Sequence, residues 1–580
     1  MTERVRGWKA LTVDREHPGY KWVALSNTTL GVLMATINSS IVIISLPAIF
    51  RGIHLDPLSP GNVGYLLWTL MGFLVVTAVL VVTLGRLGDM YGRVRIYNAG
   101  FVVFTLGSIA LAFDPYTGGG GAMWLIVWRV VQGIGAAMLF ANSTAILTDA
   151  FPTERRGFAL GINQVAAIAG GFIGLILGGL LSEVDWRLVF FVSVPIGVLG
   201  TIWSYVSLHE LGERHAARID WWGNALFAVG LSAVLAAITY GIQPYGGHTM
   251  GWTNPWVVLG LIGGAVLLAA FCYVETQVPD PMFAMGLFGI RAFWAGNLAG
   301  LLAAIARGGL QFMLIIWLQG IWLPLHGYDF ADTPLWAGIY LLPLTVAFLV
   351  AGPVSGALSD KFGARTFATG GLLLVAASFI GFLLLPVDFS YWAFAGLLVL
   401  NGIGSGLFSA PNTTAIMNSV PARQRGAASG MRATFMNSGT SLSIGVFFTL
   451  MIAGLASSLP STLRHGLTAH HVSGPVAQSV ADQPPVGSLF AAFLGENPIK
   501  TLVGPQGLAG VPAGDRSTLT GHEFFPHLIS SPFHTGLLVV FAMAAAMSVI
   551  GALASLLRGG KYVHVDEPAA EDPRTAPLAA

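Results

Sequence analysis

The sequence predicts an all-α polytopic membrane protein with 14 transmembrane helices: two pseudo-symmetric six-helix bundles plus two inserted helices. Three observations lead to this fold class. Of the 580 residues, 54% are hydrophobic and 9% are charged, with a mean hydropathy of +0.73, whereas soluble domains carry about 25% charged residues. Fourteen apolar runs are each long enough to cross a bilayer as a helix, which takes about 20 residues. Finally, one pattern of residues occurs twice along the chain.

The predicted spans are separated by polar connections rich in Gly, Pro and charged residues, which are typical of turns at a membrane surface. They cover residues 23–49, 61–84, 94–113, 122–147, 157–182, 187–208, 221–243, 254–273, 291–320, 333–357, 366–386, 391–417, 426–455 and 533–557. An even number of spans places both chain ends on one side of the bilayer.

Positive charge predicts which side that is. Most Lys and Arg residues near the span ends share a side with the N-terminal tail, and the opposite side carries only Arg51, Arg187, Arg464, Lys500 and Arg516. Because cytosolic loops carry the excess of Lys and Arg, we expect both termini in the cytosol of a cell whose plasma or inner membrane holds the protein.

The repeat is clearest in two short segments that each join a pair of predicted spans. Residues 85–95 read GRLGDMYGRVR and residues 356–365 read GALSDKFGAR. The counterparts of Gly85, Leu87, Asp89, Gly92 and Arg93 are Gly356, Leu358, Asp360, Gly363 and Arg365. A second matching pair, Arg156–Gly157 and Arg425–Gly426, is separated by a similar distance. The chain therefore contains one fold twice.

The repeat divides the chain into domains. The predicted units are a cytosolic tail (1–22), an N-terminal six-helix bundle (23–208), a two-helix insertion with flanking loops (209–290), a C-terminal six-helix bundle (291–557) and a second cytosolic tail (558–580). The C-terminal bundle includes a long outer connection, 456–532. Within this connection Leu489, Phe490, Phe493 and Leu494 predict either one face of an interfacial helix or a loop that covers the outer vestibule.

The duplicated GxLxDxxGR segment resembles the signature loop of the Major Facilitator Superfamily, and the resemblance covers about 23–557. It implies a transporter in which Gly85, Asp89, Gly92 and Arg93, with Asp360 and Arg365 in the second copy, form a conformational latch between the bundles. A tight turn with anchoring charges is the compatible structural alternative.

The strongest intramembrane signal is RVVQGIGAA in the fourth predicted span. An arginine near mid-helix is costly in a bilayer and marks a functional site by default. In the twelfth span, LVLNGIGSG aligns Asn401 with Gln132 but Leu398 with Arg129. The glycines recur in both copies and predict helix packing, whereas the charge does not recur. RxxQG resembles a family motif that is linked to proton coupling.

Glycines spaced by four predict a smooth packing face on the fifth span, comprising Gly170, Gly174, Gly178 and Gly179. The pattern resembles the family's antiporter motif, with Leu175 in place of its proline. In the first span, MATINSSIVIISLP resembles the signature of the fourteen-helix drug:proton antiporter branch. That branch carries an acid where this chain has Asn38.

The predicted spans contain no Asp, Glu or His near mid-membrane, so proton coupling is expected to use a rim acid such as Asp89 or Asp149, or to be absent. Polar residues expected at a central substrate or coupling site are Asn38, Arg129, Gln132, Asn163, Gln164, Arg307, Gln311, Gln319 and Asn401. Two fixed positive charges and no negative charge favour a neutral or anionic amphiphile.

The sequence also excludes several classes. It has no phosphate-binding loop, nucleophile elbow or HExxH motif, so no enzyme activity, catalytic residue, cofactor or metal site is predicted. The net charge of +1 gives no reason to expect nucleic acid.

We therefore expect a secondary exporter of small amphipathic compounds that acts by alternating access, driven by the proton gradient, in contact with the lipid bilayer and as a monomer. Two alternatives stay open. One is a translocator of lipid or cell-envelope precursors, and the other is a non-transporting receptor or scaffold.

Overall fold

A computed structural model of the chain describes residues 17–56, 62–152, 155–211, 220–279, 281, 283–330, 332–421, 424–494 and 497–559. Within these residues 14 helices are long and apolar enough to cross a membrane, which confirms the predicted fold class. Most of the two predicted tails, 1–22 and 558–580, lies outside the described residues.

The membrane helices are labelled α1 to α14 in chain order. They comprise Tyr20–Gly52, Val63–Tyr91, Arg93–Ala112, Gly118–Ala150, Phe158–Val184, Leu188–Ser207, Trp221–Gly241, Pro255–Glu275, Arg291–Leu325, Thr333–Ser359, Ala364–Leu383, Tyr391–Asn418, Ala427–Ala469 and Phe524–Leu556. Residues 318–322 of α9 form a π-helical turn.

The repeat is visible in the packing of the helices. In the N-terminal half (α1–α6), α1 packs on α5, α2 and α3 pack on α4, and α3 packs on α6. In the C-terminal half (α9–α14), α9 packs on α13, α10 and α11 pack on α12, and α11 packs on α14. The two halves meet through α2 on α13 and α5 on α10. These two contacts exchange under the repeat, as a pseudo-two-fold relation requires.

The two repeated turns also have the same backbone. Gly92 has φ of +113° and Gly363 has φ of +88°, in the region that favours glycine. Each donates its N–H to the carbonyl four residues earlier, Gly88 or Ser359, at 2.9 Å. Because an even number of helices separates the turns, both lie at one end of the helix bundle. We call this end the motif face and the opposite end the far face.

The inserted helices α7 and α8 pack on each other, and α7 also contacts α2 and α13. Near the motif face Thr83 donates a hydrogen bond to Asn224 Oδ1 at 2.5 Å, joining α2 to α7. The insertion therefore contacts both halves.

The far-face segment 456–532, which the sequence predicted as a long connection, is largely helical. Helix α13 continues to Ala469, because Leu459, Leu463 and Leu467 recur every four residues and are buried. Short helices then follow, Gly474–Ala481, Pro485–Leu494, Ile499–Ala509 and Ala513–Leu519, and we call this segment, 474–519, the cap.

The apolar part of the cap packs on protein. Leu489 and Phe490 are fully buried, and their helix contacts α1 and the π-helical turn of α9. A Cβ on Gly320 would clash with the Ala492 carbonyl, so the two backbones are in close contact. This burial disagrees with an interfacial helix and agrees with a cover over the far face. The Phe493 side chain lies outside those described.

Candidate functional site

Arg129 is the centre of a buried polar network in the N-terminal half. Its side chain is 1% exposed. One terminal nitrogen donates to Asn38 Oδ1 at 2.7 Å and to Gln132 Oε1 at 2.9 Å, and Nε donates to the Thr69 carbonyl at 3.3 Å. The guanidinium also lies 4.5 Å from the centre of the Phe73 ring. The three residues that the sequence singled out therefore meet.

This network extends across most of the half. Asn38 Nδ2 donates to Ser193 Oγ at 3.2 Å, and Gln132 Nε2 donates to Ser108 Oγ at 2.8 Å. The bonds thus join α1, α2, α3, α4 and α6. Among the described residues Arg129 forms no ion pair, so neutral oxygens and the Phe73 ring stabilise its charge. Since the network is closed to solvent, these side chains bind the helices together and do not line an open surface.

The same amide–serine bond occurs in the C-terminal half. Asn401 Nδ2 donates to Ser378 Oγ at 2.8 Å, the distance found between Gln132 and Ser108. Leu398 is fully buried at the position that matches Arg129. The repeat therefore keeps the hydrogen bond between the third and fourth helices of each half and omits the charge.

A second bond repeats between the halves, and here the C-terminal half carries the arginine. Asn163 of α5 donates to Ser143 Oγ at 2.8 Å, and Arg432 of α13 donates to Thr413 Oγ1 at 2.7 Å. Arg432 follows Asn163 by 269 residues and Thr413 follows Ser143 by 270, which is the offset of the repeat. The sequence prediction included Asn163 and missed Arg432. Comparing the two halves position by position gives the signal that finds it.

The other predicted polar residues lie outside the Arg129 network. Gln164, Arg307 and Gln311 are partly buried. Gln319 is 2% exposed in the π-helical turn, and neither its amide nitrogen nor its oxygen has a partner. Among the described residues, none of these four shares a hydrogen bond with the Arg129 network.

The glycines of α5 separate into two contacts. Gly170, Gly174 and Gly178 face α1, where an added Cβ would approach Thr36, Ser40 or Ile44 closely. Gly179 faces the other half, where a Cβ would lie 2.6 Å from the Leu335 backbone of α10. Close approach of this kind needs residues without a side chain. The two halves are therefore in tight contact near the far face.

The turn 85–95 forms an ionic cluster within the N-terminal half. Arg93 bonds to Asp89 Oδ1 at 2.8 Å, and one of its terminal nitrogens contacts both carboxylate oxygens of Asp149, at 2.6 and 2.7 Å. The Glu210 carboxylate accepts the backbone N–H of Arg93 at 2.8 Å and of Val94 at 3.2 Å, at the positive N-terminus of α3.

The remaining predicted latch residues make simpler contacts. A Cβ on Gly85 would have an ordinary contact with Ala141. Arg365 is exposed, and the Asp360 side chain lies outside those described. The two turns therefore have the same backbone conformation. Among the described side chains, the ionic cluster occurs at the first turn.

Two repeated bundles of membrane helices around buried polar residues are the architecture of many secondary transporters. The chain belongs to the Major Facilitator Superfamily, whose sequence profile matches residues 28–274 and 222–444. The protein is thus a secondary transporter and not an enzyme.

Several known proteins are similar to this chain. The tetracenomycin C resistance and export protein of Streptomyces glaucescens is 28% identical over 96% of this chain and 94% of its own length. The methyl viologen resistance protein SmvA of Salmonella typhimurium is 30% identical over 78% of this chain and 86% of its own. A bacterial homologue of the human lysosomal transporter Spinster, in an inward-facing unoccupied conformation, has the same fold. Its TM-score is 0.54 at 17% identity, over 93% of this chain and 98% of that chain.

Proposed function

We propose that this transporter exports small amphipathic compounds in exchange for protons, by alternating access between its two halves. The observation that carries the proposal is the paired interface, in which α2 meets α13 and α5 meets α10. Gly179 of α5 brings that helix against the backbone of α10 near the far face. A rocking motion separates such contacts without breaking a large side-chain network.

Export as the direction is supported by the relatives. One is named for resistance to and export of tetracenomycin C, and another for resistance to methyl viologen. The motif face then lies in the cytosol, with both termini, and the far face lies outside the cell. This orientation agrees with the distribution of Lys and Arg along the sequence. The contact between α5 and α10 near Gly179 lies on the side that this orientation assigns to the outside.

We assign proton exchange to the carboxylates of Asp89 and Asp149. They share Arg93 at the motif face, and His209, Glu210 and the hydroxyl of Tyr20 lie around the same cluster. A proton on either carboxylate weakens its ion pair with Arg93. Because Asp89, Arg93 and Asp149 lie on α2, α3 and α4, this change weakens the contact between those three helices.

The test uses purified protein in liposomes with an imposed pH gradient. Cationic, neutral and anionic fluorescent amphiphiles are offered, and accumulation driven by the gradient is expected. Asp149→Asn is expected to abolish the response to the gradient while passive counterflow continues. An Asp482→Asn variant, altered at an exposed acid of the cap, serves as the matched control.

Other outcomes would replace this proposal. Movement of a fluorescent lipid between leaflets, without flux of the soluble amphiphiles, favours the translocator of lipid or cell-envelope precursors. Absence of flux for every compound under every gradient favours a receptor or scaffold.

A further inference from the structure

Asp114 is a buried acid at the far face of the N-terminal half, in the turn between α3 and α4. Its side chain is 3% exposed. Oδ1 accepts the backbone N–H of Tyr116 at 2.9 Å, whereas Oδ2 is buried and has no hydrogen-bond partner. The chain neighbours on both sides, Phe113 and Pro115, are exposed. The carboxyl group is therefore desolvated but lies directly beneath the protein surface, close to the protons of the solution.

The surroundings of this carboxyl group favour binding of a proton. Burial raises the pKa of Asp114 above its ordinary value of 3.8, although the Tyr116 N–H and the positive charge of Arg187 act in the opposite direction. The other titratable groups on the elements around this turn are Arg51, His54 and Asp56 at the end of α1, Tyr65 of α2 and Asp185 before α6. Among the described residues none of these groups forms an ion pair with Asp114.

Arg187 joins the turn of Asp114 to the connection between α5 and α6. One of its terminal nitrogens donates to the backbone carbonyl of Asp114 at 3.2 Å. Its guanidinium also lies 4.6 Å from the centre of the Trp186 ring. Trp186 packs against the end of α1, where an added Cβ on Gly52 would clash with the ring. The position of Arg187 therefore determines how the α5–α6 connection sits on the far face.

This connection leads directly to the contact between the two halves. Gly179, near the end of α5, packs on the Leu335 backbone of α10, and Arg187 follows Gly179 by eight residues. An ionised Asp114 attracts the guanidinium that bonds to its carbonyl. Protonation forms an O–H bond on the carboxyl group and removes the negative charge, so this attraction is lost. The end of α5 is then held less firmly.

We propose that Asp114 binds a proton from the outer solution and that this proton releases Arg187 and loosens the contact between α5 and α10. The inference rests on the proposed function, because export in exchange for protons places the far face outside the cell. It adds a proton-binding residue at the outer face to the carboxylates of Asp89 and Asp149 at the motif face.

The test measures the distance between the two halves at the far face by pulsed electron paramagnetic resonance. Spin labels are attached to Val184→Cys and Leu384→Cys in a Cys272→Ser background, which removes the native cysteine. Positions 184 and 384 are 77% and 80% exposed and lie at the far-face ends of α5 and α11. For full-length protein in nanodiscs, the distance is expected to increase by several ångström from neutral to mildly acidic pH.

Two variants test the assignment independently. Asp114→Asn keeps an oxygen that accepts the Tyr116 N–H but does not ionise, so the longer distance is expected at every pH. Arg187→Gln is expected to give the same result, and it provides the test if Asp114→Asn does not fold, because Arg187 is exposed. Asp329→Asn, at an exposed acid of the far face, is the matched control and is expected to keep the pH response.

The outcomes separate this residue from the proposed function. A distance that does not change with pH in the parent protein overturns the inference, as does an unchanged pH response in Asp114→Asn and Arg187→Gln, even where gradient-driven flux is normal. A distance that stays short in Asp114→Asn at every pH overturns the loosening of the contact. A response that depends on Asp114, in a protein that moves no compound, supports the proton site and rejects transport.

A final variant separates the two faces of the protein. Asp149→Asn, at the motif face, is expected to keep the pH response of the labels at the far face. Loss of that response in Asp149→Asn together with its retention in Asp114→Asn assigns the response to the motif face and overturns the inference.

Discussion

The two halves of the protein have the same helix packing but carry their buried arginines at different positions. In the N-terminal half Arg129 is almost fully buried and donates hydrogen bonds to oxygens on α1, on α2 and on its own helix α4. In the C-terminal half Leu398 replaces it, and the charge lies instead on Arg432, where the N-terminal half has Asn163. Arginines within the membrane helices of this protein therefore differ in how fully their hydrogen-bond donors are satisfied. The role of each arginine depends on whether the protein already satisfies its donors.

The largest effect is expected when this difference is removed by Arg129→Leu, which copies Leu398. The oxygens of Asn38 and Gln132 then lose their donor in a dry interior, at about 1–3 kcal/mol for each unsatisfied group. We expect a loss of about 2–4 kcal/mol in the free energy of unfolding, measured by thermal unfolding in detergent. Arg432→Leu loses one bond and should cost about 1 kcal/mol. Equal effects in the two halves would contradict the comparison.

A smaller change of opposite sign is expected for Asn38→Asp. Because Oδ1 of residue 38 lies 2.7 Å from the guanidinium, a carboxylate there forms an ion pair with Arg129. A charged hydrogen bond exceeds a neutral one by about 1 kcal/mol. The gain requires an ionised carboxylate, so it is present at neutral pH and decreases as acidification protonates residue 38.

Thermal unfolding and counterflow across a pH series check this expectation. Asn38→Ser keeps a polar group without a charge and serves as the control. If Asn38→Asp gives the same pH profiles as the wild type, residue 38 does not control the charge of the network.

The matched amide–serine bonds give a finer comparison. Ser108→Ala removes the acceptor of Gln132, whose oxygen also accepts a bond from Arg129. Ser378→Ala removes the acceptor of Asn401, whose oxygen accepts a longer bond from Ser405 and none from an arginine. We expect about 1 kcal/mol for Ser378→Ala and somewhat more for Ser108→Ala. Thermal unfolding of both single variants measures the difference. A larger cost in the C-terminal half would show that the Arg129 network does not depend on Gln132.

The smallest effect is expected in the cap, which lacks a counterpart in the N-terminal half. His470 and His471 contact the two carboxylate oxygens of Asp515 at 3.0 and 2.7 Å. These hydrogen bonds hold the pKa of Asp515 below its ordinary value of 3.8. Because the folded state has the lower pKa, the stabilisation is present above the unfolded value and is lost as the pH falls through the folded value.

We therefore expect Asp515→Asn to lower the unfolding temperature slightly at pH 5 and not at all at the acid end of the series. Asp482→Asn, at an exposed acid of the same segment, should match the wild type throughout. A difference that persists at the lowest pH would show that the carboxylate charge is not what stabilises the cap.

Several parts of the site could be predicted from the sequence because the repeat provides its own control. The pairing of Asn38, Gln132 and Arg129 follows from intramembrane polarity, and the mismatch with Leu398 marks the charge as special. Arg432 was not predicted, although the repeat places it at the position that matches Asn163. The burial of Arg129 was not predictable from polarity, since a polar residue in a membrane helix faces either a cavity or another helix.

The sequence alone determined the number of membrane helices, the duplication and the two turns at Gly92 and Gly363, because length, apolarity and local backbone preference act within short segments. Only the tertiary structure decided which arginines are enclosed and which keep free donors, and that Leu489 and Phe490 of the cap pack on protein. Those outcomes depend on partners from distant helices, and hydrogen bonding and burial are set by the neighbours that the fold brings together.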